Sequence, residues 1–354
     1  MHHTQRPRTI VVRAPNWLGD QILAYPFFYY LRRGYPEAHI TVACRPWVAA
    51  IQFRNLIDDV CVLPPPRRAT WWHKAQALER QAASLRVRGP WDLGLCLPNA
   101  FAAAWLLARA QVRWRRGYQT EVRGWLLHDR LPWAPWGSRH RAAAYVHILP
   151  ESIRPQSPAQ DFWQGTPSQD TPPVFDAQRA WPTTTLLEPP EQPYWVLAPG
   201  SMASSRRWPA EKFAALARDI TQQVGLPGLV VGGSAETALA QHLCQTPGLA
   251  LTDMTARGTV AAAWPLFRHA RFTVSNDSGL AHVAALCGSP VYIVWGAGNP
   301  AKTRPLGPGP VHIVHYPVAC WPCERNVCHQ APPQTLACLQ GIEPAMVWKD
   351  IQLR

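Results

Sequence analysis

Apolar and polar positions in this chain come in blocks. Short aliphatic runs bounded by turn formers predict buried parallel strands at residues 9–13, 40–43 and 91–97, and the helical spacing over 21–35 predicts a crossover helix between the first two. From about 150 to 193 the pattern dissolves into Pro, Gln, Ser and Thr, the composition of an interdomain linker. Alternation resumes at Tyr194 and continues through 229–233, 272–274 and 291–295. This order predicts an α/β protein of two doubly wound parallel-sheet domains facing across a cleft, over residues 1–180 and 194–354. Ligands in such sheets bind beyond the carboxyl ends of the strands.

Length agrees, because 354 residues exceed what one core usually fills. The formal net charge of +13 points to an anionic partner: nucleic acid, an acidic membrane surface or a phosphorylated glycolipid. The N-terminal apolar stretch is broken by Arg13 and Asp20, well short of the ~20 apolar residues of a membrane span, so a cytoplasmic location is expected. Nine cysteines are too few for a secreted disulfide scaffold of this length, and Cys44, Cys61, Cys96, Cys244 and Cys287 sit in apolar contexts that predict core thiols.

Two segments carry candidate chemistry. In VSNDSGLAHVAALCGSPVYIVWGAG (274–298) a strand runs through Asn276-Asp277-Ser278-Gly279 into a small-residue helix, whose unpaired amides and positive dipole end suit an anion. The plain alternative is an ordinary helix cap. In VLAPGSMASSRRWP (196–209) a strand ends at Pro199-Gly200 and a Ser-rich loop leads to Arg206 and Arg207, guanidinium groups that bind phosphate oxygens in pairs. Two such turns in one αβ region point to a nucleoside diphosphate.

These residues also carry a resemblance. PGSMASSRRWP followed by NDSGLAHVAAL resembles the glycosyltransferase family 9 heptosyltransferases. VVRAPNWLGDQILAYPFFYYLRRGYPEAHITV and DLGLCLPNAFAAAWLLARAQVRWRRGYQTEVRGWLL are similar to the acceptor half of the heptosyltransferase II group. The resemblance implies a GT-B-like fold and an inverting transfer of heptose from ADP-heptose to the inner core of lipopolysaccharide, at the cytoplasmic face of the inner membrane and with no catalytic cofactor. It implies that Asp20 is the general base and that Arg206, where the family usually carries Lys, stabilises the leaving diphosphate, with Arg207 beside it. Gly200, Ser201, Ser205, Glu236, Asp277, Ser278, Gly279 and His282 fall at donor-binding positions. Asn16, Trp17, Asn99, Arg116 and Arg123 fall at acceptor-binding ones. A relative using another nucleotide sugar or glycan acceptor, and a basic nucleic-acid-binding protein, are the competing readings; no RNA-binding signature accompanies the basic residues, so nucleic acid is not expected as a partner.

Cys320-x2-Cys323-x4-Cys328-x9-Cys338 places four thiols in nineteen residues, a spacing that suits a tetrahedral zinc or iron site more than disulfides. Related autotransporter heptosyltransferases hold iron through four cysteines, which favours the same reading. Such a closed site would be structural.

Overall fold

The computed structural model describes residues 6–65, 70–155 and 175–352. They form two units, Met1–Pro182 and Thr183–Arg354, divided inside the segment expected to be a linker.

The first unit holds a six-stranded sheet: β1 (Thr9–Arg13), β2 (His39–Cys44), β3 (Asp59–Val62), β4 (Leu93–Cys96), β5 (Trp114–Tyr118) and β6 (Asp129–Leu131). The order is β3-β2-β1-β4-β5-β6, with every pair parallel. Aliphatic strands buried on both faces are what a parallel sheet covered by crossover helices demands. Val11, Ala43 and Cys96 meet Leu85, Trp91, Leu106 and Leu107 on one face.

Two expectations change here. The helix expected over 21–35 is two helices, Leu18–Leu23 and Tyr25–Gly34, joined at Ala24. Pro26 lacks the N–H that would bond back to Ile22, so one helix stops and another restarts with proline in its first turn. The end of the expected linker is core: Phe175 and Trp181 are buried, and Phe175 packs edge-on against Tyr25 (5.2 Å) and Trp181 (4.8 Å). Residues 156–174 of that linker lie outside the described residues.

The second unit repeats the plan with β7 (Trp195–Ala198), β8 (Gly228–Val230), β9 (Leu251–Asp253), β10 (Thr273–Asn276), β11 (Val291–Val294) and β12 (Val311–Val314). All are parallel, in the order β12-β11-β10-β7-β8-β9. The helix Ala210–Val224 lays Phe213, Leu216, Ala217 and Ile220 on Leu197, Val230 and Val274, and ends at Gly225, whose φ of 71° is a left-handed conformation that glycine adopts without strain. Val347 and Trp348 of the terminal helix Pro344–Gln352 close the same core.

Strand order reverses between β1 and β4 in the first unit and between β7 and β10 in the second. At such switch points adjacent loops diverge and leave a crevice beyond the carboxyl ends of the strands. Asp20 and Asn99 follow β1 and β4; the Gly200 loop and Asp277 follow β7 and β10.

Candidate active site

In the second unit the two motifs are pinned together by the pairing of β7 with β10 and by one buried side chain. Asn276, fully buried, donates from Nδ2 to the Pro199 carbonyl (2.6 Å) and accepts at Oδ1 from the Trp208 amide (3.1 Å). Ser275 Oγ donates to the Ala198 carbonyl and Ser201 Oγ to that of Asp277. The sequence leaves Asn276, Asp277 or Ser278 as a candidate helix cap; folded, Asn276 fixes the Gly200 loop against the next one. Asn276→Ala would strand a buried N–H and a buried carbonyl, so a loss of about 2–4 kcal/mol is expected, measured by denaturant unfolding; a loss within ~0.5 kcal/mol would refute the pinning.

The loop so held surrounds a buried ion pair. Asp277 is 3% exposed, and the Arg206 guanidinium stands 3.2 Å from its carboxylate. Burial pushes the Asp277 pKa up to about 6, against the pull of Arg206. A Cβ on Gly298, after β11, would overlap that carboxylate, so glycine is required for the close approach. The helix Gly279–Leu286 starts here with Ser278 in the N-cap position and no side-chain capping bond, which leaves its first amides for an anion. Glu236 Oε2 accepts from the Gly233 amide (2.8 Å), and its carboxyl lies over Gly200, where a Cβ would come within 2.7 Å of it.

Two expected donor residues are engaged otherwise. Ser205 is buried and its hydroxyl donates to the Arg325 carbonyl, so it is a brace instead of a phosphate ligand. Arg207 turns back onto its own loop, donating to the Ser201 carbonyl (2.6 Å). His282 is buried in the helix Gly279–Leu286, four residues after Ser278.

The cysteine-rich segment is the outer wall of this loop cluster. Asn326 O accepts from the Ser205 amide and the Ser204 hydroxyl, the Glu324 amide donates to Ala297 O (2.8 Å), and the Trp321 indole donates to Gly296 O (2.9 Å). Cys338 is buried, and burial followed by the neighbouring thiols of Cys323, Cys320 and Cys328 pushes its pKa up. Cys328 Sγ accepts from the Leu336 amide (3.3 Å). Among the described residues no three His, Cys, Asp or Glu side chains converge closely enough to hold a metal ion. The donor set suits zinc or iron; the closed four-thiolate shell expected from the spacing is not assembled. The expected core thiols Cys44, Cys61, Cys96 and Cys287 are buried, and Cys244 is partly so.

In the first unit Asp20 lies in the helix Leu18–Leu23 with about a quarter of its side chain exposed. The helix Arg141–His147 supplies its neighbours: Arg141 Nε at 3.9 Å and the Tyr145 hydroxyl, which hydrogen-bonds the Asp20 carboxylate. Burial, then Asp20, push the Tyr145 pKa well above its ordinary value, so it acts as a fixed donor. Periodicity marks Tyr145 only as core, which is why the sequence does not reveal this role.

Trp17 is exposed beside Asp20, and Trp47 joins it, its indole donating to the Asn16 carbonyl (2.6 Å). The Asn16 side chain accepts from Arg13 (2.6 Å), a buried guanidinium whose pKa burial lowers to about 10. Two expected acceptor residues are corrected. Arg123 is 0% exposed and donates to the Tyr118, Pro98 and Ala100 carbonyls and weakly to Asn99 Oδ1, so it shapes the Asn99 loop from within. Arg116, also buried, donates to Ile148 O and pairs with Asp129 at the amino end of β6. It faces a cavity of about 1840 Å³ that opens at the amino ends of the strands, the edge opposite Asp20.

Two six-stranded parallel sheets, each with polar groups gathered at its switch point, define a GT-B-like architecture. The solved structure of E. coli ADP-heptose lipopolysaccharide heptosyltransferase II shares the fold with a TM-score of 0.73 at 21% identity, over 98% of both chains. The family model for Glycosyltransferase family 9 (heptosyltransferase) matches residues 80–332, and the chain belongs to that family. It is 26% identical to lipooligosaccharide heptosyltransferase 2 of Haemophilus ducreyi, over 84% of this chain and 86% of that one. It is 25% identical to lipopolysaccharide heptosyltransferase 2 of Escherichia coli K12, over 84% and 85%.

Proposed function

We propose that the protein transfers heptose from ADP-heptose to the inner core of lipopolysaccharide with inversion at the anomeric carbon. The observation that carries this reading is the Arg206–Asp277 pair at an uncapped helix start beside the Gly200 loop, a place built for a diphosphate. An acceptor hydroxyl oxygen attacks the anomeric carbon as the bond to the β-phosphate oxygen breaks. Its proton passes to Asp20, and ADP leaves with the bond pair, its charge met by Arg206 and the amides of the helix Gly279–Leu286. The acceptor is a phosphorylated glycolipid taken at the cytoplasmic face of the inner membrane; no helix among the described residues is long and apolar enough to cross it. Incubating the protein with ADP-heptose and truncated lipopolysaccharide cores and reading product mass tests the proposal: one added heptose supports it, and transfer only from another nucleotide sugar overturns it.

We further propose that Cys320, Cys323, Cys328 and Cys338 take up a structural zinc or iron ion, on the strength of four thiols in nineteen residues. Elemental analysis is expected to find about one metal equivalent per chain, and Cys323→Ser to lose it and melt lower, because the metal's binding energy is coupled to folding. Metal-free protein with the same melting temperature refutes the site.

A further inference from the structure

The charge of the chain is concentrated in one unit. Of 35 Lys and Arg residues 23 precede Thr183, with 12 of 22 Asp and Glu, so the first unit carries +11 of the net +13. Its exposed apolar residues are concentrated too. All six strands of its sheet run parallel, so the loops after β1 to β5 emerge at one edge, and each bears an exposed aromatic: Trp17, Trp47, the pair Trp71 and Trp72, Phe101, and Trp125. Among the exposed large apolar residues described in this unit, only Val87 lies away from that edge. The second unit exposes no tryptophan to a comparable extent among its described residues.

Trp71 and Trp72 stand out because no folding role explains them. They open the helix Trp71–Arg88, are 62% and 67% exposed, and stack on one another, with Lys74 and Arg80 exposed further along the same helix. The core face of that helix is Ala77, Gln81, Ala82 and Leu85, which the two indoles do not join. Paired indoles at the start of a helix, with a lysine one turn along, are the chemistry of an anionic lipid interface, where the rings sit at headgroup depth and a nearby cation adds attraction.

We infer that this edge of the first unit docks on an anionic bilayer, with Trp71 and Trp72 inserted at the headgroup level. The docking presents the carboxyl-end loops, Asp20 among them, to a glycolipid acceptor that stays in its membrane. The inference rests on the proposed acceptor class only for its purpose; the docking itself is a property of the surface and is measured without substrate.

The test is sedimentation of the full-length protein with vesicles of phosphatidylethanolamine and phosphatidylglycerol, against vesicles of phosphatidylcholine alone. The wild type is expected to partition to the anionic vesicles and to be released by high salt. Trp71→Ser/Trp72→Ser is expected to weaken that partition about tenfold or more, since two indoles lose their buried area, whereas Val87→Ser leaves it unchanged. Both variants are expected to melt as the wild type does. Heptose transfer to a deacylated, soluble core is expected to survive the double substitution, while transfer to acceptor embedded in vesicles falls. Equal partition of wild type and double variant, or a double variant that only converts a dimer to monomer in sedimentation velocity, overturns the docking. Absence of transfer to either acceptor with docking intact overturns the heptosyl reading instead.

Discussion

Asp20→Ala is expected to lower turnover at least about 100-fold while the affinity for ADP-heptose stays near that of the wild type, because a general base acts in the transition state and touches the acceptor, not the donor. The structure sharpens this expectation. Asp20 follows β1 at the switch point, partly open to solvent, and the helix Arg141–His147 holds its carboxylate between the Tyr145 hydroxyl and Arg141. Tyr145→Phe removes one positioning bond and leaves the base, so a smaller drop of about threefold to tenfold is expected, with the Asp20→Ala loss little changed when the two are combined. Steady-state kinetics at saturating acceptor and equilibrium binding of ADP-heptose separate the outcomes. Near-normal turnover in Asp20→Ala would make Asp20 a helix-end residue and move proton transfer elsewhere.

How far the sequence revealed this site depended on whether the signal was local. Asp20 lies in the first helix after β1 and the Asp277–Gly279 turn directly after β10, and the strand-then-helix order is visible in the residue pattern, so their place at the carboxyl edge followed. Arg116 and Arg123 look identical to ligand-binding arginines in one dimension. Only the fold shows Arg123 spent on the Pro98, Ala100 and Tyr118 carbonyls and Arg116 on Asp129. Ser205 is the same case: its partner lies 120 residues away in the cysteine-rich segment, a separation no local rule spans. The edge strands β6 and β9, three residues each and partly exposed, lack the aliphatic run that marked the central strands. Pairing with their neighbours, not propensity, makes them strands.

The Arg206–Asp277 pair leads to the second large effect. Arg206→Ala is expected to weaken ADP about tenfold to 100-fold and to lower turnover about 100-fold, since the guanidinium meets the diphosphate in the ground state and its growing charge in the transition state. Arg206→Lys keeps the charge without the planar fork and is expected to retain part of both. The same substitution acts on Asp277. With a folded pKa of about 6 against 3.8 for the free side chain, this carboxyl binds its proton more tightly in the native state. Its contribution to stability is therefore fully present below about pH 4 and lost as pH rises through about 6, a swing of roughly 3 kcal/mol. Asp277→Asn has no such proton to lose, so the variant is expected to gain on the wild type over that interval and to hold a constant difference above it. Removing Arg206 takes away the one charge that pulls the Asp277 pKa down, so in Arg206→Ala the loss of stability is expected to extend to higher pH. Melting temperatures of the three proteins from about pH 4 to 8, read beside ADP titrations, test the pair as a unit. Identical pH profiles for wild type and Asp277→Asn, with unaltered ADP affinity in Arg206→Ala, would show that the pair neither titrates nor holds phosphate.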